Sequence, residues 1–192
     1  QALFIDKKAP LVNYEMGYTY QAMKQYDNAI KAYDKVIKIG EKDETLLLTY
    51  MNKASILDDA GKPKEAIKLY KKGIEIYPDH YLWHFNLGIT NFRLNNTNEA
   101  ITAFENAILL NPGHASSHFA LSNLQLLLGK RPQLLLSQYF FLLIEPKSER
   151  ATETYKYFIN QLQGGVEKVA KKSDNKININ LNPTSLNTED TA

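Results

Sequence analysis

The chain has 192 residues, 44% of them hydrophobic, which is the composition of a folded domain with its own core. Its 23 Lys and Arg stand against 21 Asp and Glu, so a formal charge of +2 argues against a single-sign field for nucleic acid or acidic lipid. The absence of cysteine removes disulfides, thiolate nucleophiles and thiolate metal sites, and leaves a reducing cytosol and a periplasm equally open. Because the first residue is Gln1, the chain reads as a mature or trimmed product, periplasmic or secreted after signal removal or else cytoplasmic. The longest apolar stretch, Leu134 to Ile144, has 11 residues broken by Ser137 and Gln138. A bilayer span needs about 20, so no membrane span is expected.

After a lead-in over residues 1–9, the chain repeats itself in frames that start near 10, 47, 81, 115 and 149, a spacing of 37 and then 34. The first hairpin (10–46) carries Tyr14-Glu15-Met16-Gly17, then Asn28-Ala29-Ile30, Tyr33 and Val36, with its surplus turn at Gly40-Glu41-Lys42-Asp43. The second (47–80) carries Asn52-Lys53-Ala54, Glu65-Ala66-Ile67, Tyr70, Gly73 and Pro78, and Gly61-Lys62-Pro63 divides its helices. The third (81–114) carries Asn86-Leu87-Gly88, Glu99-Ala100-Ile101, Phe104, Ala107 and Pro112, with Thr97 or Asn98 as the expected cap of its second helix. The fourth (115–146) departs from the pattern: Ser122 and Leu134 replace the small residues and Gln138 the aromatic, while Gly129-Lys130-Arg131-Pro132 keeps the break and Pro146 the stop. Small residues at two fixed points let paired helices approach closely, and Tyr33, Tyr70 and Phe104 are expected to fill the gap between successive hairpins.

These residues, over about 10 to 146, resemble the tetratricopeptide-repeat family. The resemblance implies an all-α, right-handed superhelical solenoid of antiparallel helix hairpins. A weaker likeness is to tetratricopeptide proteins of Bacteroidetes-type bacteria, and it brings no activity with it. In the family the first helices of successive hairpins line a concave peptide groove. Those slots here are Tyr14, Tyr18 and Gln21, then Met51, Asn52 and Ser55, then Leu82, Phe85, Asn86 and Ile89, and finally Phe119 and Asn123. The chaperone-adaptor branch grips a C-terminal carboxylate with lysine, arginine and asparagine in these slots. Tyr14, Tyr18, Leu82 and Asn86 stand in their place and only Asn52 is shared, which argues against that function. An apolar, tyrosine-rich groove suits instead a hydrophobic segment whose backbone also needs hydrogen-bond partners.

The second helix of the fourth hairpin, 132 to 144, is apolar nearly all round and calls for a cover. The expected cover is a capping helix within 147–163 that lays Tyr155, Phe158, Ile159 and Leu162 over it; the alternative is self-association through this helix. Residues 164–192 read as a flexible tail, with Ile177, Ile179 and Leu181 alternating in a possible strand over 176–182 and disorder from Pro183 onward. That strand is expected to pair outside this sequence, to dock on the helices as the chain's own ligand, or to stay loose. The chain is also expected to stop short of a further small domain.

His80 with His84 and His114 with His118 form two i, i+4 pairs, a spacing that can bind zinc or nickel. Their 34-residue offset is the repeat period itself, so common descent of two turns explains it, and no cofactor is expected. Asp58-Asp59 reads as a solvated helix end, since neighbours on a helix diverge. Gly164-Gly165 lacks the Lys and Ser or Thr of a phosphate loop, and no Gly-x-Ser-x-Gly occurs, so no enzyme is expected. The lysines from Lys62 to Lys72 read as a solubilising outward face. The expectation is a protein-binding scaffold, with a homo-oligomer and a His-based metal protein as alternatives; the identity of the protein or peptide partner is not in the residues.

Overall fold

The second helices of the first three hairpins are amphipathic with one strict pattern of burial. Ala29, Ala32, Tyr33 and Val36 are buried in the first, Ala66, Tyr70 and Gly73 in the second, and Ala100, Ala103, Phe104 and Ala107 in the third. Spacings of three and four put each set on one helical stripe. The structure, a computed structural model, describes residues 10–40, 42–163, 166–169 and 178–181, the last two stretches through their backbone. Among these the chain forms nine α-helices: α1 (Pro10–Ala22), α2 (Tyr26–Ile39), α3 (Glu44–Asp59), α4 (Pro63–Ile76), α5 (Tyr81–Arg93), α6 (Thr97–Leu110), α7 (Ala115–Leu127), α8 (Arg131–Ile144) and α9 (Glu149–Gln163). Two short strands follow, β1 (Val166–Val169) and β2 (Asn178–Leu181). No described helix is long and apolar enough to cross a membrane. The architecture is an all-α helical repeat of the solenoid class, and it divides into two compact units, Gln1–Ser117 and His118–Ala192.

In the first unit α1 pairs with α2, α3 with α4 and α5 with α6, and the first helices form a row in which α3 lies beside both α1 and α5. The chain stops and restarts where the turn chemistry allows. Gly40 closes α2 with φ of 72°, a left-handed geometry that glycine adopts without strain, and its N–H reaches the Val36 carbonyl. Asp43 then caps α3 by accepting from the Leu46 N–H at 2.8 Å. The cap of α6 differs from expectation. Its N-cap is Asn96, not Thr97 or Asn98, and no side chain caps it; the Asn96 amide instead donates to Asn91 Oδ1 at 3.1 Å.

The aromatics do more than expected: Tyr33 packs with Ile56 of α3 and Tyr70 with Trp83 of α5, each reaching the next hairpin, and two of the rings also fill their own. A β-carbon on Gly17 would lie 2.4 Å from Tyr33, and one on Gly88 2.6 Å from Phe104, so these rings fill the space inside their own hairpins. The joint between the second and third hairpins is filled by Trp83 of α5, whose ring occupies the space that a β-carbon on Gly73 of α4 would need, at 2.7 Å. Trp83 is fully buried in the main apolar cluster with Val36, Leu46, Tyr50, Leu57 and Tyr70.

In the second unit the buried stripe of α8 is Leu134, Ser137, Gln138 and Phe141, whereas Leu136, Tyr139, Phe140 and Leu143 are exposed. Ser137 and Gln138 thus face inward and much of the apolar surface faces outward. The last helix, α9, packs on α8 chiefly through Ala151 and Thr154, with Phe158 and Ile159 half-buried; Tyr155 and Leu162, expected in the cover, stay exposed. A clasp holds the unit where α8 ends. Arg150 donates from Nε to Glu145 Oε1 at 2.7 Å and from its second nitrogen to Oε2, and its guanidinium lies 5.2 Å from the ring centres of both Phe119 and Phe141. Strand β2 finds its partner within this chain, running antiparallel to β1 with Val166 opposite Leu181 and Lys168 opposite Ile179. The lead-in over 1–9, Ile177 and everything from Pro183 onward lie outside the described residues.

Candidate functional site

Four of the residues assigned to the groove come together on α1 and α3. Tyr14 and Tyr18, one turn apart on α1, stack with ring centres 6.4 Å apart, and Tyr14 leans on Tyr33 of α2 at 6.1 Å. Asn52 of α3 donates both amide N–H groups across the joint, to the Tyr14 hydroxyl at 3.3 Å and the Tyr33 hydroxyl at 3.4 Å. Tyr33 passes the chain on by donating to Gln21 Oε1 at 3.0 Å. The network rests on a buried ring and ends on an exposed one: Tyr33 is fully buried and Tyr18 is 55% exposed. Burial pushes the Tyr33 hydroxyl up to about 12, against the opposing hydrogen bond from Asn52. The same burial raises Tyr14 more modestly. Both phenols are therefore neutral donors and acceptors across the physiological range.

The remaining assigned residues divide. Met51 packs against the main apolar cluster, and Ser55 is half-buried on the same helix. On α5, Phe85 lies between Phe104, at 5.9 Å, and His114, at 4.8 Å and edge-on; Leu82, Asn86 and Ile89 are half-buried beside it. In the second unit Phe119 is half-buried against Phe141 at 5.0 Å and beneath Arg150, while Asn123 is exposed.

Asp58 corrects the solvated-end reading. Its side chain is 8% exposed and Oδ2 accepts from Thr90 Oγ1 at 2.9 Å and from Arg93 at 2.7 Å, both on α5. Asp59 is the solvated neighbour, 3.6 Å from the same guanidinium. This network sits over Tyr70, whose phenol is raised by burial first and then by the Asp58 charge. Asp58 is thus a structural joint between the second and third hairpins.

The histidines lie among rings. His80 stacks on Tyr81 at 5.8 Å, His114 meets Tyr81 at 4.8 Å and shares a 2.8 Å hydrogen bond with Ser117, and His118 stacks on Phe140 at 5.5 Å. Burial lowers the His84 imidazole below its ordinary value. Among the described residues no group of three or more His, Asp or Glu is placed to hold a metal.

Sequence reasoning passed over Trp83, Arg93 and Arg150. The single Trp beside His84 was a signal for the first; the other two act through partners that no local spacing names.

A sequence model described as tetratricopeptide repeat matches residues 9–79, and a second of the same description matches residues 81–114. The TPR repeat-containing protein MJ1428 of Methanocaldococcus jannaschii is 27% identical over 139 residues, 72% of this chain and 22% of that protein. The chain spans about a fifth of the length of the curated relatives it matches. Among solved structures, MamA superposes over 78% of this chain and 85% of its own, with a TM-score of 0.66 and 24% identity. YrrB, described as a TPR protein with an unusual peptide-binding site, superposes over 81% and 78%, with a TM-score of 0.63 and 20% identity. At such identities the likeness speaks to the fold.

Proposed function

The chain belongs to the tetratricopeptide-repeat family, and from that premise we propose that its first unit is an interaction scaffold that holds an apolar polypeptide segment against α1 and α3. The observation that carries this is the Tyr14–Tyr18 stack tied to Asn52. Tyr18 offers an exposed aromatic face whose side chain loses little freedom on binding, since its neighbour already supports it. Both N–H groups of Asn52 are engaged within the protein, so what it offers a ligand is its carbonyl oxygen, an acceptor for a peptide N–H. Leu82 and Asn86, half-buried on α5, add contact area and no positive charge. The segment is therefore gripped along its length, not by a terminal carboxylate. That YrrB is described as peptide-binding supports the general reading.

The test is selection of peptides displayed on phage against the wild-type chain, followed by counter-screening on Tyr18→Ala and Asn52→Ala. Enrichment of apolar and aromatic internal sequences that both variants lose is expected. Selection of acidic C-terminal sequences, or of peptides indifferent to both changes, would sink the proposal.

A second reading has one observation in its favour. Leu136, Tyr139, Phe140 and Leu143 form an exposed apolar stripe on α8, and self-association through it predicts a dimer by light scattering that Leu143→Glu turns into a monomer. A wild-type monomer at micromolar concentration counts against it.

A further inference from the structure

On the second-helix side of the first unit a cleft of about 890 Å³ opens between α2 and α4, with α3 at its base. Its floor is apolar, formed by Ile30, Leu57 and Leu69, and Lys31, Lys62 and Lys68 stand exposed on its rim. Its lining sets Lys31, Lys53, Lys62 and Lys68 against Asp27, Asp34 and Glu65, and the walls as a whole are more basic. Helices α2 and α4, with Lys62 before the latter, carry eight lysines against four carboxylates, whereas the whole chain has an excess of only two cations. Two of those carboxylates are already engaged: Asp34 by Lys53, and Glu75 by Lys72 at 2.9 Å. Lys53 lies inside the cleft with its side chain 16% exposed, so its ion pair with Asp34 offsets the desolvation of the ammonium and leaves Lys31, Lys62 and Lys68 on the rim against Asp27 and Glu65.

We propose that this cleft is a second binding site, separate from the tyrosine surface, and that its occupant is an acidic amphipathic helix of a partner protein. The apolar seam of such a helix meets Ile30, Leu57 and Leu69, and its Glu or Asp flanks meet Lys31, Lys62 and Lys68. The walls set the length of contact. The lining runs over residues 27–34 on one wall and 62–69 on the other, a span of about 12 Å at 1.5 Å per residue, which takes two turns of a docked helix. The composition of the rim selects against a compact polyanion. Asp27 and Glu65 stand among the lysines and would repel a phosphate, whereas a helix can place carboxylates opposite the lysines and keep neutral residues opposite the acids.

The experiment uses the full chain and two fluorescein-labelled helical peptides of roughly 18 residues, each with a leucine seam, one flanked by glutamate and the other by lysine. Anisotropy is expected to show binding of the glutamate peptide alone, weakened about tenfold or more between about 50 and about 300 mM salt. Lys31→Glu/Lys68→Glu is expected to weaken it by a similar factor, and Lys31→Gln/Lys68→Gln by part of that, with helical circular dichroism unchanged. Tyr18→Ala should leave it as it is. The proposal is overturned if both peptides bind alike, if the loss in Tyr18→Ala matches that in the lysine variants, or if the chain sediments with phosphatidylserine vesicles while the glutamate peptide fails to bind.

Discussion

A β-carbon on Gly17 would sit 2.4 Å from the Tyr33 ring, and Tyr33 is wholly enclosed, so the ring has nowhere to retreat. Helix propensity favours alanine over glycine by about 1 kcal/mol, but overpacking a filled core costs about 1–3 kcal/mol, so Gly17→Ala is expected to destabilise on balance, read as a lower urea midpoint. An unchanged midpoint would mean that the hairpin opens freely at this point. The hydroxyl end of the same ring makes a second prediction. With its phenol pushed up to about 12 from an ordinary 10.0, Tyr33 favours the neutral form when folded. Its contribution is then complete below pH 10 and is lost as the pH rises from 10 toward 12. Absorbance titration at alkaline pH should show late tyrosines, Tyr70 among them, of which Tyr33→Phe removes one, and a normal titration of every tyrosine contradicts the burial argument. The close approach at Gly17 was legible from its small size at a repeat position. That the ring opposite belongs to the same hairpin was not, because spacing along the chain names a filler but not the gap it fills.

At the scale of elements, the repeat period and the proline and glycine breaks were sufficient to place the helices, since they depend on local rules. What escaped were the joints. Asp58 meets Thr90 and Arg93 from 32 and 35 residues away, so its role depends on how one hairpin lies against the next and not on its neighbour Asp59. The face of α8 was likewise hidden, because a helix apolar nearly all round has no amphipathic stripe to read; the structure turns Ser137 and Gln138 inward and Leu136 and Leu143 outward. The clasp at the end of α8 carries a prediction of its own. Hydrogen bonds from Arg150, and then from Ser148, hold the Glu145 carboxyl at about 2, below its ordinary 4.5. The clasp is then fully effective above pH 4.5 and is lost as the pH falls from 4.5 toward 2. Relative to the intrinsic rate at each pH, hydrogen exchange at Ala151 and Thr154 should accelerate over that interval in the wild type. In Arg150→Gln it should already be fast at neutral pH; equal protection in both chains at neutral pH contradicts the clasp.

For the molecule as a whole, the structure puts chemically different surfaces on different helices of the same repeats. The first helices of the first two hairpins carry stacked tyrosines and an amide; the second helices carry lysines over an apolar cleft. A helical repeat presents both because only its interior stripe is constrained by packing, and the outward positions are left for binding. The family resemblance names Tyr14, Tyr18, Gln21 and Asn52 as groove positions, and in the structure these four side chains meet in one network. Phe85 is partly taken up by ring packing, which periodicity alone does not reveal. The most direct test of the central claim is a calorimetric titration of one selected apolar peptide, with a free and with an amidated C-terminus, into the wild-type chain and into Tyr18→Ala. Equal affinity for the two termini and a loss of about tenfold, or about 1.4 kcal/mol, in Tyr18→Ala is the predicted result. A strong preference for the free carboxylate, or an affinity that Tyr18→Ala leaves untouched, would contradict it.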